Sequence, residues 1–302
     1  RRLMHTGSTG QIIAIGFASL LVIGWGGAAM SLYFGRRART SRDWLSANES
    51  LPLFVVVITQ FAAAAGGGVL IAHVGIGYRS GVVRVRLRGC VLVGFLLLTL
   101  IARWLREQNF TTVPDVVTRL FGRNRPVTAL AALAALAVPF GWIVTQFVAF
   151  AKLFGQLTGI SAPVLVTVIT LASLTFVLPG GLTSVAWADF VFGLFKIATA
   201  LVVAFYGIHL AGGWSRITET VPQRLWSPAG GITAVGWQQV WLWAAAIIPG
   251  TLTNQLYYQR VFATKRIADA RRGLALSGLT MLVSGVYAGC IGLAVHAMNP
   301  HL

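Results

Sequence analysis

A run of small residues inside a long apolar stretch is the part of this sequence best suited to binding chemistry. Four alanines, residues 62–65, precede three glycines, residues 66–68, within the apolar stretch 53–78. Each glycine in a helix interior costs about 1 kcal/mol relative to alanine, so three in succession favour a break. In a membrane, a broken helix frees backbone carbonyls that can bind a cation. The alternative is an unbroken helix whose small residues allow a neighbour to pack closely.

Ionisable and amide side chains in other apolar stretches are further candidates. Asp189 is a functional candidate because carboxylates are costly in a membrane, although it could simply pair with Lys196, seven residues later on the same helix face. Gln146 and Asn254 could hydrogen-bond a solute or join neighbouring helices. His73 could respond to pH or make an ordinary helix contact. We see no nucleophile–base pair, metal-ligand cluster or nucleotide motif, and therefore expect no enzyme.

The composition identifies the class of protein that must position these residues. Of 302 residues, 56% are hydrophobic and only 10% are charged, whereas soluble domains carry about 25% charged residues. The sequence therefore predicts an all-α polytopic membrane protein. The net charge of +17 would suggest nucleic-acid binding in a soluble protein, but Lys and Arg fall mainly in short gaps between apolar runs. We expect the lipid bilayer, and no nucleic acid, as a partner. Cys90 and Cys290 lie in apolar runs and are interpreted as packing residues.

The apolar runs predict eight spans and a single transmembrane domain over residues 1–302. Pro139 and Gly141 are expected to interrupt the fourth span. The predicted spans are approximately residues 11–34, 53–78, 89–104, 127–157, 163–179, 182–211, 237–258 and 273–298.

The distribution of basic residues predicts the orientation. With the connector after the first span inside, 14 of the 24 Lys and Arg residues lie inside and eight outside, which follows the positive-inside rule. The sequence thus predicts a multi-pass protein of the plasma (inner) membrane with its N-terminus outside. Arg84, Arg86 and Arg88 oppose this bias, and could snorkel to the outer headgroups.

Five motifs in order resemble the sodium:solute symporter family. They occupy residues 35–48 (GRRARTSRDWLSAN), 66–78 (GGG followed by VGIGY), 111–122 (TTVPDVVTRLFG), 180–189 (GGLTSVAWAD) and 254–260 (NQLYYQR) with 265–273. The resemblance covers nearly all of the chain from about Gly35. It implies a leucine-transporter-type fold, in which two inverted five-helix repeats follow one extra N-terminal helix. Spans two to six would form the first repeat, and spans seven and eight would begin an incomplete second one.

The resemblance also implies a function, which is cation-coupled symport of a small polar solute by alternating access. Na⁺ would be the co-transported ion rather than a bound prosthetic group. The family resemblance assigns the carbonyls of Ala62 and Ala65 to the sodium site, and oxygen ligands suit a hard cation. It also implies a role for Asp189 on the inner ion pathway.

Candidate solute ligands follow from the same resemblance and from the residues near the predicted break. Val69 stands where sugar-carrying members have a polar ligand, and residues 250–253 replace their aromatic pair, so a sugar is not expected. Trp142 and Trp243 could stack on a solute, or could be packing or interfacial residues. The candidate substrate-binding residues are Gly66, Gly67, Val69, Gln146, Trp243, Thr251 and Asn254.

Other readings of the chain remain open. The family's sodium site also uses a later helix of the second repeat, which this sequence does not reach before Leu302. We therefore expect an N-terminal portion of a longer transporter. The alternatives are a transporter-like membrane sensory module, or an inactive fragment.

Overall fold

A computed structural model describes residues 6–36, 40–108, 110 and 112–301, and the regular structure in these ranges is helical apart from one isolated β-bridge between Leu51 and Thr264. The first helices are α1 (Thr6–Gly35), α2 (Ser41–Ser46), α3 (Leu53–Ala64), α4 (Gly67–Ser80), α5 (Val83–Glu107), α6 (Val113–Phe121) and α7 (Arg125–Thr158). The remaining helices are α8 (Ala162–Val177), α9 (Gly181–Leu210), α10 (Trp214–Thr220), α11 (Gln223–Trp226), α12 (Pro228–Val235), α13 (Trp237–Thr253), α14 (Gln255–Phe262) and α15 (Ile267–Met298). The predicted all-α class is confirmed.

Each predicted span corresponds to a helix or to a pair of consecutive helices. Four helical segments in the described ranges are long and apolar enough to cross a membrane: Leu87–Glu107, Arg125–Thr158, Gly181–Leu210 and Ile267–Met298. The second span is broken as predicted, because α3 ends at Ala64 and α4 begins only at Gly67.

Two predictions about the spans, one interruption and one end, were wrong for local chemical reasons. The fourth span is not interrupted, since α7 runs through Pro139 without ending, and membrane helices tolerate proline where neighbouring groups replace the lost hydrogen bond. The seventh span does not reach residue 258. It ends at Thr253, where the Asn254 side chain accepts a hydrogen bond from the backbone N–H of Leu256 at 3.0 Å and starts α14. Asparagine favours such helix caps over helix interiors.

Helix α15 packs against α3, α4, α5 and α9. Its contact with α4 is made by backbone atoms, because a Cβ added at Gly292 would lie 2.5 Å from the carbonyl carbon of Gly77 and from the backbone nitrogen of Tyr78. Small residues at helix crossings allow this close approach, and the resulting van der Waals packing helps to hold helices together in lipid. The second half of the broken span is therefore held against α15.

We expect Gly292→Ala to lower the free energy of unfolding by about 1–3 kcal/mol. The added methyl group would meet backbone atoms of α4, which cannot move aside as a flexible side chain could. Gly289→Ala is the matched control, since an added Cβ at this position of the same helix meets nothing within 4 Å. Thermal unfolding of the two purified variants in detergent measures the difference. Equal melting temperatures would contradict the close backbone contact.

Candidate functional site

The break between α3 and α4 leaves backbone carbonyls that side chains satisfy. In a continuous helix each carbonyl would accept from the N–H four residues later. Here the Lys196 ammonium group donates to the carbonyl oxygens of Ala62 at 2.9 Å and Ala65 at 2.8 Å. The indole N–H of Trp142 donates to the carbonyl of Ala63 at 3.2 Å. Because an unpaired backbone group is costly inside a membrane, these contacts stabilise the broken conformation.

A close helix crossing brings Lys196 to the break. A Cβ added at Gly193 would lie 2.8 Å from the Ile58 side chain and 3.0 Å from the Ala62 Cβ. The glycine thus allows α9 to lie directly against α3. Lys196 follows three residues later on the same side of α9, within reach of the freed carbonyls.

The alternative considered for Asp189, a simple pairing with Lys196, is not the contact that the structure shows. The hydrogen bonds of Lys196 go to the two carbonyls, while the Asp189 carboxylate Oδ2 binds the Arg260 guanidinium at 2.8 Å. Seven residues place two side chains on one helix face, but spacing along a single helix does not show which neighbouring helix supplies a better partner.

The carbonyl pair does not fit Na⁺ in this arrangement. Carbonyl oxygens are suitable sodium ligands, and both Ala62 and Ala65 present theirs at the break. However, the Lys196 ammonium group lies within 3 Å of both oxygens. Two unit positive charges 4 Å apart repel by roughly 4 kcal/mol near a protein surface. An ion at this pair would therefore have to compete with the ammonium group for the same two oxygens.

Asp189 belongs to a cluster that joins three helices. The Thr59 hydroxyl of α3 and the Arg260 guanidinium of α14 both donate to Asp189 Oδ2 of α9, each at 2.8 Å. Arg260 also donates to the Thr59 hydroxyl at 3.0 Å, and is only 4% exposed. Arg260 additionally lines a cavity of about 260 Å³ together with Gln255 and Gln259. Sequence reasoning identified Asp189 but missed Arg260, although it closes the motif at residues 254–260.

A second cavity, of about 270 Å³, opens beside the break. Its apolar wall includes Ala64 at the end of α3. Its polar groups are His73 of α4, Arg88 of α5, Trp142 of α7, Thr251 of α13 and Asn254, which precedes α14. A cavity of this size with a few convergent polar groups is typical of a small-molecule site. We refer to it below as the central cavity.

Arg88 is the charged residue of the central cavity. It is 4% exposed, and its guanidinium Nη2 lies 3.2 Å from His73 Nδ1. Among the described residues, no carboxylate forms an ion pair with it. Arg88 therefore does not snorkel to the outer headgroups, as its sequence position would have allowed, because α5 begins at Val83 rather than near Gly89 and the buried Arg88 side chain faces the cavity. The side chains of Arg84 and Arg86 lie outside the described residues.

Two of the predicted solute ligands meet at the break. Gln146 of α7 lies directly against Gly66, where an added Cβ would overlap its side-chain amide. Gly67 and Val69 lie in the first turn of α4, but the Val69 side chain lies outside the described part of the chain.

The other predicted solute ligands are divided between two cavities. Thr251 and Asn254 line the central cavity, where the Thr251 hydroxyl donates to the carbonyl of Ile247 at 2.8 Å and Asn254 caps α14. Trp243 instead lines a separate cavity of about 310 Å³ with Arg79. The structure therefore does not bring Trp243 together with the other candidates.

We expect Asp189→Asn to destabilise the protein by about 2 kcal/mol or more, because it leaves the buried Arg260 guanidinium without a countercharge. Glu107→Gln is the control. It removes the partner of Arg103 from an ion pair whose side chains are 70% and 43% exposed, and exposed pairs contribute little. Thermal melting in detergent compares the variants. If Asp189→Asn has the same melting temperature as the unchanged protein, the cluster does not hold the three helices together.

Comparison with known proteins agrees with this architecture. No curated protein sequence matches the chain. A solved structure, described as the substrate-bound outward-open state of a Na⁺-coupled sialic acid symporter with a novel Na⁺ site, superimposes with a TM-score of 0.84 at 19% sequence identity. The match covers 95% of this chain, which spans 62% of that symporter's length. The two share a leucine-transporter-type fold.

The sequence itself gives the family assignment. The pattern of the sodium:solute symporter family, a family of transporters rather than enzymes, matches residues 44–300. Together with the four long apolar helices, this match identifies an integral membrane protein. The chain belongs to the sodium:solute symporter family.

Proposed function

We propose that this chain is part of a secondary active transporter that moves a small polar solute together with a cation, and that Na⁺ is the co-transported ion. The observation that carries this proposal is the broken span α3–α4, which opens onto the central cavity. Broken helices beside a mid-membrane cavity are characteristic of secondary transporters. The family match supports sodium coupling. Residues 1–302 would form one transmembrane domain of this transporter.

In this proposal the break and the central cavity form one coupled site. Ala64, the last residue of α3, lines the cavity, and Trp142 both lines it and donates to the carbonyl of Ala63. A solute that contacts Trp142 would therefore act directly on the broken segment between α3 and α4. Coupling requires such a shared element, because each ligand must favour the same conformational state. Asp189 would then line the inner pathway beside the cavity at Arg260.

The solute is proposed to carry an anionic group such as a carboxylate. A buried guanidinium group without a countercharge is strongly unfavourable, and Arg88 is in this position within the described part of the chain. Carboxylates match the planar guanidinium with two parallel hydrogen bonds. Thr251, Asn254 and Trp142 would contact the rest of the solute.

The protein is further proposed to reside in the plasma (inner) membrane with its N-terminus outside. The distribution of Lys and Arg residues supports this orientation. The C-terminal end of α5, which contains Arg106, would then face the interior. There the Arg106 side chain donates to the carbonyl of Thr264 at 3.1 Å and pairs with Glu49.

To test this proposal, we would reconstitute the whole protein that contains this chain and screen small carboxylic acids against their matched amides. Ligand-induced thermal stabilisation identifies ligands, and uptake into proteoliposomes with an inward Na⁺ gradient then measures transport. We expect a carboxylic acid to be accumulated while its neutral amide is not. Absence of cation-dependent uptake for every ligand would contradict symport, and binding without uptake would favour a sensory module.

The same assay tests the role of Arg88. We expect Arg88→Gln to weaken binding of the acid by about 10- to 100-fold, the usual range for losing a charged hydrogen bond, with little effect on any neutral ligand. Arg79→Gln is the control, because Arg79 lines the separate cavity with Trp243. Equal losses in both variants would contradict the proposed contact with the solute.

A further inference from the structure

We propose that Lys196 is a cation built into the chain, which occupies the carbonyl pair of Ala62 and Ala65 and keeps Na⁺ out of it. This inference deepens the proposed function and rests on it, because it concerns the ion site of the same transporter. The family resemblance assigns this pair to a sodium ion. The geometry assigns it to an ammonium group of the protein.

The match between the ammonium group and the expected ion is chemical as well as positional. Both carry one positive charge, and both are satisfied by carbonyl oxygens. The Lys196 nitrogen lies 2.9 Å and 2.8 Å from the oxygens of Ala62 and Ala65, which are good distances for charged hydrogen bonds. A single side-chain atom therefore bridges a carbonyl in the last turn of α3 and the carbonyl of the residue that follows the helix.

The surroundings hold Lys196 in this place. Gly193 allows α9 to contact Ile58 and Ala62 of α3 without an intervening side chain. Asp189, the nearest acidic residue on α9 in the sequence, is engaged by Arg260 and Thr59. The freed carbonyls are therefore the hydrogen-bond partners of the lysine ammonium group. The two groups stabilise each other within the membrane.

Lys152 provides a comparison within the same chain. It also lies in a long apolar helix, α7, but it is exposed. No hydrogen bond joins it to the carbonyls of the break in the part of the chain that the structure describes. Replacing Lys152 removes the same charge from a spanning helix and leaves the carbonyl pair intact, so it is a matched control for Lys196.

The experiment measures equilibrium binding of radioactive ²²Na⁺ to the purified whole protein and to four variants. Lys196→Gln and Lys196→Ala remove the ammonium group, Lys196→Arg keeps a positive charge, and Lys152→Gln is the control. We expect Lys196→Gln and Lys196→Ala to bind about one more Na⁺ per protein than the unchanged chain, or to bind at an at least tenfold lower Na⁺ concentration. Lys196→Arg and Lys152→Gln should bind as the unchanged protein does.

Several outcomes would overturn the inference. One such outcome is unchanged Na⁺ binding in both Lys196→Gln and Lys196→Ala, with folding verified by gel filtration. Lys196 would then be a structural contact that does not exclude Na⁺. A gain in Lys152→Gln as large as in Lys196→Gln would show a general effect of charge removal. Equal gain in Lys196→Arg would show that positive charge does not exclude the ion.

Failure of this inference is distinguishable from failure of the proposed function. Counting bound ions requires no transport, whereas the proteoliposome assay does. Accumulation of solute with no effect of Lys196 on Na⁺ binding would overturn the inference alone. A gain of Na⁺ binding in Lys196→Gln without uptake of any solute would instead overturn the proposed function.

Discussion

Backbone carbonyls that lose their helical partners inside a membrane must find other donors, and this requirement organises the structure around residues 62–66. The break between α3 and α4 is possible because Lys196 and Trp142 approach from two other helices and donate to three carbonyls. The approach of Lys196 in turn requires a glycine on α9 at position 193. The unwound segment is therefore defined by its surroundings as much as by its own glycines.

The two halves of the broken span are anchored to different neighbours. Helix α3 is joined to α9 and α14 through Thr59, Asp189 and Arg260. Helix α4 is held against α15 by backbone contact at Gly77, and the Tyr78 hydroxyl donates to the carbonyl of Asn299 at 2.8 Å. One half is fixed by charge and the other by close packing, so the break lies between two regions of different chemistry.

The sequence predicted the helical class and the break well, because these follow from long apolar runs and from a glycine triplet. It failed where an outcome depends on a neighbouring element. Pro139 was expected to interrupt α7, and Asn254 was not expected to end α13, because whether a helix continues depends on what satisfies the backbone there.

The site was less predictable than the fold for the same reason. The carbonyls of Ala62 and Ala65 were singled out from their position, yet their contact with Lys196 depends on how α9 crosses α3. Arg88 was placed at the membrane surface because its helix was expected to start later than Val83. Successive residues on a helix point in directions that differ by 100°, so a shift of one residue can move a side chain from the lipid-facing side to the cavity.

The attachment of the ammonium group to α9 has a consequence for the electrical balance of the proposed transporter. A diffusible ion that leaves a site on the opposite side carries its charge across the bilayer, and gains about 2.3 kcal/mol per 100 mV of membrane potential. A lysine side chain remains with its helix and returns with it at the end of each cycle. The position between Ala62 and Ala65 would then contribute no net charge movement per turnover, so the membrane potential could not drive solute accumulation through it.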